Sequence, residues 1–564
     1  MRELAQRPAE DEVAQVQFGP GDPNRNARAI AFYKGKTVVP CLNPLCCEEF
    51  EPGIIFGRPY NLRMQLCTRK GAEGHPISSY YIAHCLTEKI PSPYETMFLD
   101  EVNGSLLSPK LDIEITFLGG LGRAGTNTCI MVRSGLEAIL VDCGTNVANL
   151  NTEGSDEIDE EATTSDEDET LMLADNPDFQ PVIDFCAGGG RILGVLLSHG
   201  HMDHIGGLPA LDKAMSAYDL PGVYGHRFTM AVAHHLIAGQ KKEDAASRGF
   251  EFQSIDSQIQ LGEFLITPVP MMHSIPGAYG YGVGIVGKEE HGAIFFSGDF
   301  KARWNGPEDL FNLRKRLTEL GRICAVFCDS TNAGFHGWTS LEQDVRQGLM
   351  DVLWNAKGRV FITMFASHVE RIEAIIRICN QMGKVVSKLG TSMGTYLDAY
   401  DAMGKTMNLS FDPKTADVIV VAGCQGNEFS ASRRLSEDKW VEDIHICVGD
   451  TVVISANPIP GRVSSVTAMA HAFRSLGANV IINNSFPGQM TNFERHPIHV
   501  SGHGSGNDIA FLIRTLFESN PELVFVPYHC SRESAVAAAE LAEKTGLTAE
   551  RILLYETNGS SFQL

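Results

Sequence analysis

The feature that most constrains this chain is a cluster of four potential metal ligands within six residues. His199, His201, Asp203 and His204 form a His-x-His-x-Asp-His pattern, and a glycine pair follows it. The apolar, branched run at residues 192–197 predicts a buried strand that ends at these histidines. Four ligands exceed what one tetrahedral ion conveniently uses, and imidazoles with a carboxylate but no cysteine favour a catalytic zinc pair. The alternative, a chance His-rich surface loop, does not account for so specific a pattern.

Two further ligand candidates stand at the ends of apolar runs. His273 follows the run at residues 265–272, and Asp299 follows the run at residues 293–298. Alone, each would be interpreted as structural, but beside the histidine pattern each predicts a ligand. His273 can complete the ligand set of one ion, and Asp299 can bridge two ions because both its oxygens accept when ionised.

Length and composition indicate a globular protein of two or three domains. The chain has 564 residues, of which 43% are hydrophobic, and no apolar run approaches the length of a bilayer span. The first residues do not resemble a signal peptide. Fourteen cysteines are spread along the chain, many in apolar runs, which favours reduced thiols and a cytoplasmic location over a disulfide framework.

The formal net charge of −23 is unevenly distributed. Residues 151–180 hold twelve Asp or Glu and no Lys or Arg. This composition predicts a solvated acidic loop. An acidic balance argues against nucleic acid, which favours a basic footprint. A metal-dependent nuclease can nevertheless be acidic overall, because its divalent cations and a basic groove provide the positive charge at the site itself.

Residues 1–110 predict a small β-rich N-terminal extension of unknown role and with no identifiable partner. A zinc finger there would use residues from a scattered set, but the set lacks a second cysteine pair at finger spacing: Cys41, Cys46, Cys47, Cys67, His75, His84 and Cys85.

A strand is predicted to begin at residue 113, and a formal Gly-x-Gly-x-x-Gly at Gly120, Gly122 and Gly125 follows it. A dinucleotide site needs a helix after these glycines, but residues 126–132 are β-branched and strand-like. The sequence therefore predicts a glycine-rich hairpin, followed by another strand at residues 138–142.

The chain has a strand, a hairpin and another strand ahead of the histidine pattern. This order resembles the metallo-β-lactamase superfamily, whose members pair zinc ions around a hydroxide. From residue 113 onward the chain resembles the β-CASP nucleases and, within them, ribonuclease J. In the family pattern Asp329, His503 and His529 take three characteristic positions of the β-CASP group. The motifs that carry the resemblance are HSIP at 273–276, SGDFK at 297–301, CDSTNA at 328–333, FASH at 365–368, CQG at 424–426, GDTVVI at 449–454, PIPG at 458–461 and HVSGHGS at 499–505.

This resemblance implies an α/β protein: a metallo-β-lactamase αββα sandwich with an inserted α/β β-CASP domain. We expect residues 111–337 to form the first part of the sandwich, residues 338–497 the insertion, and residues 498–564 the second part. Helical and strand patterns alternate within the insertion, which predicts a parallel sheet there.

The resemblance also implies the ligand sets of two Zn²⁺ ions, with Mn²⁺ or Mg²⁺ as alternatives. His199, His201 and His273 would hold one ion, and Asp299 would bridge. The second ion would be held by Asp203, His204 and His529. A shared hydroxide would then be the nucleophile for hydrolysis of a phosphodiester bond.

The leaving 3′ oxygen needs a proton, and His503, oriented by Asp329, is the candidate general acid. Together with Asp203 these two residues make up the predicted catalytic set. By resemblance alone, a phosphate cradle is assigned to Ser367, His368, His499, Ser501, Gly502 and His503.

The principal hypothesis is therefore a zinc-dependent ribonuclease acting in RNA processing or decay, as a 5′ exonuclease, an endonuclease or both. A β-CASP DNA nuclease is one alternative, since a metal site does not sense the 2′-hydroxyl. An inactive zinc-bound scaffold that binds RNA or protein is another, but its ligand set would be broken, and this one is intact.

The chain departs from the family pattern at two places. Cys530 follows His529 where ribonuclease J usually has Gly and then Glu. The sequence ends 35 residues after His529, so by comparison with the family we expect no separate C-terminal domain of the kind that many ribonucleases J have. A homo-oligomer, which the family would imply, is left open.

Overall fold

The structure is a computed structural model in two compact units, Met1–Thr96 and Met97–Leu564. The residues it describes are 13–15, 31–33, 39–40, 49–50, 62–67, 80–85, 94, 98–99, 111–122, 127–146, 176–240, 249–410, 412–427, 429–459, 462–487, 490, 493–555 and 557–564. Most of the acidic segment, the third glycine of the glycine-rich hairpin and the side chains considered for a zinc finger lie outside this description.

The first unit contributes three antiparallel strand pairs, in agreement with a β-rich extension. They are β1 with β2, β3 with β4, and β5 with β6. Their bounds are Val13–Gln15, Ala31–Tyr33, Val39–Pro40, Glu49–Phe50, Leu62–Cys67 and Tyr80–Cys85.

In the described part of the second unit, one sheet has the strand order β13-β12-β11-β10-β9-β8-β27. Antiparallel pairing of β8 with β9 confirms the predicted hairpin and excludes a dinucleotide-binding turn. A short pair, β7 with β26, lies apart from this sheet. The bounds are β7 Phe98–Leu99, β8 Glu114–Gly119, β9 Cys129–Ser134, β10 Glu137–Val141, β11 Arg191–Leu197, β12 Gly222–Gly225, β13 Glu251–Ser254, β26 Leu554–Tyr555 and β27 Ser561–Gln563.

A second sheet has the order β14-β15-β16-β17-β18-β25 and faces the first across a shared apolar core. The core is built from both sheets, with Phe117 and Val141 from the first and Phe296, Phe327 and Val526 from the second. The bounds are β14 Ile259–Leu261, β15 Phe264–Pro270, β16 Tyr279–Ile285, β17 Ala293–Phe296, β18 Ile323–Asp329 and β25 Val524–Tyr528.

A third sheet, between residues 360 and 496, has the order β20-β21-β19-β22-β23-β24, and each neighbouring pair is parallel. The predicted parallel sheet is thus confirmed. It lies inside the predicted insertion, whose boundaries at 338 and 497 stay a prediction. The bounds are β19 Val360–Thr363, β20 Val386–Leu389, β21 Val418–Val421, β22 Thr451–Ile454, β23 Asn479–Asn483 and β24 Glu494–His496.

Helices cover the outer faces of the first two sheets, which gives the four layers of an αββα sandwich. No helix in the described ranges is long and apolar enough to cross a membrane. The α-helices are α1 Gln180–Ala187, α2 Met202–Ile205, α3 Leu208–Ala214, α4 Arg227–Gln240, α5 Glu308–Glu319, α6 Glu342–Asn355, α7 Val369–Gln381, α8 Thr391–Asp401, α9 Ala431–Ser436, α10 Val463–Ser475, α11 Gly506–Ser519 and α12 Arg532–Thr545, with 3₁₀ turns at Glu289–His291, Pro413–Thr415 and Ala549–Arg551.

Helix α11 begins with a capping box formed by Ser505 and Asp508. The buried Asp508 carboxylate also accepts the backbone N–H of Ala302 and that of Thr339, each at 2.9 Å. One carboxylate thereby fixes the loop after Asp299 and the approach to α6 against the segment that carries His503.

Candidate metal centre and active site

The predicted ligands lie just beyond the ends of four strands. Strand β11 ends at Leu197, so His199 and His201 follow it directly. The short helix α2 then carries Asp203 and His204. The remaining three follow strands of the second sheet: His273 after β15, Asp299 after β17 and His529 after β25.

These residues form two groups of potential ligand atoms, each within 4.8 Å of one another. The first comprises His199, His201, His273 and Asp299, and the second comprises Asp203, His204, Asp299 and His529. The structure therefore brings together the two sets that the sequence assigned to two ions, and among the described residues Asp299 belongs to both.

Three imidazole nitrogens converge in the first group. His201 Nδ1 lies 2.9 Å from His199 Nε2 and 3.1 Å from His273 Nε2. Asp299 Oδ2 lies 3.6 Å from His199 Nε2 and 3.7 Å from His273 Nε2. Such a set of inward-facing nitrogens around a carboxylate is the arrangement that a divalent cation requires.

The second group leaves several buried atoms without a hydrogen-bond partner. Asp299 Oδ2 lies 3.2 Å from His204 Nε2, and Asp203 Oδ2 lies 3.4 Å from His529 Nε2. No hydrogen bond reaches His204 Nε2, Asp299 Oδ1 or His529 Nε2, although all three atoms are buried. Because unsatisfied buried polar atoms are unfavourable, their convergence supports a site that binds divalent metal.

A second layer of contacts aims the histidines at the centre. His204 Nδ1 donates to Asp142 Oδ2 at 2.8 Å, and Asp142 also accepts the Ser198 N–H at 2.7 Å. His529 Nδ1 pairs with Thr128 Oγ1 at 2.7 Å. These bonds leave the Nε2 atoms facing inward, which is how outer partners orient metal-binding imidazoles.

Sequence reasoning did not single out Asp142 or Thr128. Asp142 did carry a signal, since it ends an apolar strand as Asp299 does. Both Asp142 and His529 have positive φ, 60° and 53°, which is uncommon for residues other than glycine. Strained backbone of this kind concentrates at functional sites.

Burial keeps the first histidine group neutral. It lowers the pKa of His199 and of His273 well below the ordinary value, and it lowers the pKa of His201 to about 4. Neutral imidazole is the form that binds metal. At His204, burial also acts to lower the pKa, but the carboxylates of Asp299 and Asp142 outweigh it and raise the pKa.

His503 stands beside this centre and is paired with Asp329. The distance from His503 Nδ1 to Asp329 Oδ2 is 2.9 Å, and Asp329 Oδ1 accepts the Thr331 N–H at 3.0 Å and its hydroxyl at 2.7 Å. Burial acts to lower the pKa of His503, but Asp329 and Asp299 outweigh it and raise the pKa to about 9. The imidazole is therefore protonated near neutral pH.

Two family profiles match the chain over separate ranges. One, described as "Beta-lactamase superfamily domain", matches residues 137–315, and the other, "Ribonuclease J, beta-CASP domain", matches residues 357–473. Ribonuclease J of Thermus thermophilus is 28% identical over 478 residues, covering 82% of this chain and 75% of that protein. Ribonuclease J of Synechocystis sp. is 29% identical, with 80% and 66% covered. Ribonuclease J2 of Bacillus subtilis is 27% identical, with 79% and 74% covered.

The chain is a ribonuclease J-like member of the β-CASP group. It is accordingly a hydrolytic nuclease, with a metallo-β-lactamase domain built on the first two sheets and a β-CASP domain built on the third. A solved structure from Enterococcus faecalis V583, titled as a protein of unknown function, has a TM-score of 0.50 at 16% identity and covers 80% of this chain and 100% of that one. That likeness supports the fold alone.

The residues assigned to the phosphate cradle lie on both sides of the metal centre. From the β-CASP domain, Ser367 Oγ lies 3.1 Å from His201 Nε2. On the other side, the Gly502 carbonyl accepts from His273 Nδ1 at 3.0 Å, and a Cβ at Gly502 would lie 2.6 Å from the His273 ring. Only glycine permits that approach. Ser501 Oγ accepts from the Asn332 amide at 2.9 Å.

His368 and His499 complete the cradle residues. His368 is buried at the start of α7, and neither of its ring nitrogens has a hydrogen-bond partner. His499 is partly exposed, and its Nδ1 lies 3.0 Å from Arg371 Nη1. The structure thus brings Ser367 and Gly502 against the metal centre, Ser501 against Asn332 and the His503 backbone, and His368 and His499 against buried charged residues.

Those buried charges carried no role in the sequence interpretation. Lys301 is fully buried, donates to the Ser501 carbonyl at 3.2 Å and lies 4.2 Å from the Trp304 ring centroid. Burial lowers the pKa of Lys301 to about 8. Arg371 is also fully buried and forms an ion pair with Glu342. The one available signal was position, because Arg371 follows His368 by three residues and so shares its helix face.

Proposed function

We propose that this nuclease is a zinc-dependent ribonuclease that hydrolyses RNA phosphodiester bonds. The observation that carries the proposal is the pair of ligand groups joined by Asp299. The relatives named ribonuclease J support RNA as the substrate. Zn²⁺ suits the imidazole-rich donor set, with Mn²⁺ or Mg²⁺ as alternatives.

Two ions would be held by the two groups. His199, His201 and His273 would hold one, Asp203, His204 and His529 would hold the second, and Asp299 would be available to both. When bound, such ions lower the pKa of water and neutralise charge on the attacked phosphate. The outer contacts of Asp142 and Thr128 keep the imidazoles aimed at them.

His503 acts as the general acid in this scheme. Its Nδ1 is bound to Asp329, so Nε2 is the atom that gives a proton to the leaving 3′ oxygen. Asp329 holds the ring in position and favours the protonated form. His503 lies outside both four-residue groups, although it forms a further group of potential ligand atoms with Asp299 and Asp329.

The RNA backbone would lie between the two domains. Ser367, Ser501 and Gly502 line its path beside the metal centre, and His368 and His499 contact it from the β-CASP side. Helix α7 also begins at this place, and a helix N-terminus favours negative charge.

We further propose a cytoplasmic role in RNA processing or decay, by 5′ exonuclease action, endonuclease action or both. Nine described cysteines are free thiols, which suits a reducing compartment. DNA hydrolysis is the alternative, because the ligand groups alone do not distinguish the two sugars.

The test is a time course on one RNA labelled at its 5′ end, carrying either a monophosphate or a triphosphate, beside DNA of the same sequence. Release of mononucleotides that depends on the monophosphate indicates 5′ exonuclease action. Internal fragments from both RNAs indicate endonuclease action. Cleavage of the DNA with the RNA left intact would overturn the proposal.

A further inference from the structure

The strongest unassigned feature is the buried contact between Arg371 and His499. Arg371 makes two parallel bonds to Glu342, from Nε to Oε1 and from Nη2 to Oε2, each 2.9 Å long. This bidentate pair fixes the guanidinium plane. Its remaining nitrogen, Nη1, lies 3.0 Å from His499 Nδ1.

The chemistry of that contact sets the tautomer of His499. A guanidinium donates hydrogen bonds and accepts none, so His499 Nδ1 must accept with its lone pair. The single proton of the neutral ring then resides on Nε2. Since Nδ1 faces the buried Arg371, the Nε2–H edge points away from it.

The charges around His499 also oppose a second proton. Burial, followed by Arg371 on α7 and Lys301 in the loop after β17, holds the pKa of His499 well below its ordinary value and outweighs a hydrogen bond with the Ser455 backbone, which acts to raise it. His368, the other titratable group that interacts with it, has a lowered pKa for the same reasons. Glu342 is already bound by Arg371, so its carboxylate does not compensate.

We propose that Arg371 is a positioning residue that holds His499 as a neutral Nε2–H donor to a phosphate oxygen of the substrate. The inference rests on the proposed function and deepens it, because it assigns a chemical form to one contact of the cradle. His499 then contributes a directed hydrogen bond, while the buried cations Lys301 and Arg371 supply positive charge behind it. The competing interpretation is a structural ion pair that joins α6 to α7 without any effect on substrate binding.

The first experiment compares three substitutions at His499 in the full chain. The side-chain amide of His499→Gln reaches the Nε2 position as a neutral donor, His499→Lys carries a cation, and His499→Phe keeps a ring without a donor. We expect KM for RNA to rise only a few-fold in His499→Gln, but roughly 10- to 100-fold in His499→Phe, with kcat changed less. His499→Lys should bind as poorly as His499→Phe, because its ammonium would meet Arg371.

A KM for His499→Lys that is close to the wild-type value, or an equal KM for all three variants, would overturn the inference. A wild-type protein that cleaves no RNA would instead contradict the proposed function and leave the second experiment to decide this one.

The second experiment reads the tautomer without any RNA. In ¹⁵N-histidine protein, the ring signals of His499 are assigned by their loss in His499→Gln. Long-range ¹H–¹⁵N correlations should show an unprotonated Nδ1 and a protonated Nε2 between about pH 6 and 8. Arg371→Lys keeps a cation beside Glu342 but loses the guanidinium that also contacts His499. In this variant we expect a mixture of His499 tautomers. An imidazolium signal in the wild type at the acid end, or a wild-type tautomer unchanged in folded Arg371→Lys, would overturn the assignment.

Discussion

At the scale of single residues, the carboxylate of Asp299 joins the whole centre. Its Oδ2 is 3.2 Å from His204 Nε2 and 3.6 Å from His199 Nε2, and its Oδ1 is 3.8 Å from His529 Nε2. Asp203 contacts the second group alone. The two aspartates should therefore differ in how much metal depends on them.

We expect the purified protein to hold about two divalent ions per chain, since two four-residue groups of potential ligands converge and share Asp299. Asp299→Asn should lose both ions, whereas Asp203→Asn should lose one, and both should abolish hydrolysis without unfolding the chain. Elemental analysis after gel filtration, with circular dichroism as the folding control, measures this. Two ions retained in Asp299→Asn would contradict the bridging role.

His503 should act in chemistry and not in metal binding. His503→Ala is expected to keep both ions and to lose about 10²–10⁴-fold in the rate of cleavage of ordinary RNA, as loss of a general acid typically does. A substrate with a 3′-bridging sulfur needs little protonation to leave, so its cleavage should fall much less.

Single-turnover rates on the two substrates, with metal content measured in parallel, test that prediction. Ser505→Ala is a suitable control, because it removes a hydroxyl of the same segment whose hydrogen bond caps α11. Equal slowing of both substrates by His503→Ala would make the histidine a phosphate contact.

At the scale of elements, helix α7 contributes both to the candidate site and to the packing against α6. Its first turn stands beside His368, and Arg371 anchors it to Glu342 on α6. Glu370 lies in the same turn. Burial, and then the neighbouring Glu342 carboxylate, raise the pKa of Glu370 to about 7.

When folding raises the pKa of a carboxyl, the folded protein becomes less stable as pH rises. The folded chain keeps the Glu370 proton that the unfolded chain releases, so the stabilisation is complete below about pH 4.5 and is lost as pH passes 7. Glu370→Gln should therefore stabilise the protein at about pH 8 by roughly 1–3 kcal/mol and little at about pH 5.

Denaturant unfolding at both pH values measures the effect, with Glu319→Gln as the control. Glu319 is exposed on α5 and forms only a 3.8 Å ion pair with Lys315, so its replacement should change stability little at either pH. A gain of the same size at both pH values would refute the pH argument.

The elements that the sequence predicts best are those whose pattern of apolar residues distinguishes a strand from a helix. Strand β11 ends two residues before His199, and the third sheet is parallel as its alternating pattern predicts. The sequence of residues 208–220 predicts one short helix, but α3 ends at Ala214. Its composition favours helix, but a tight turn with a bond from Tyr218 N–H to the Met215 carbonyl redirects the chain into β12.

The contacts that sequence did not predict join distant segments. Asp142 and Arg371 carry only a positional signal in the sequence and Thr128 carries none, and each acquires its role from a partner that folding brings beside it. Ligands could be found because a strand end and a metal-binding side chain coincide in sequence. Their orienting partners could not, because no spacing rule links them.

At the scale of the whole molecule, charge is concentrated in one segment. Residues 151–180 carry twelve of the chain's acidic side chains and no basic one. Negative side chains repel the RNA phosphates over a Debye length of about 10 Å at 0.1 M salt. The segment should therefore weaken RNA binding at low salt.

Deleting residues 152–170 removes ten of those charges. RNA should bind the deletion variant more tightly at low salt and equally at high salt, because salt screens the repulsion. A variant with the same ten residues changed to Asn or Gln keeps the length and isolates the charge. Unchanged affinity at both salt concentrations would make the segment a spacer.

The pairing of Thr128 with His529 spans 401 residues. A ribosome adding ~5–20 residues per second needs roughly 20–80 s to pass from the first to the second. Once residue 204 has been added, the nascent chain carries the histidine pattern, but it lacks His529 until the end of that interval. The second ligand group is therefore completed only when the last part of the chain has been synthesised.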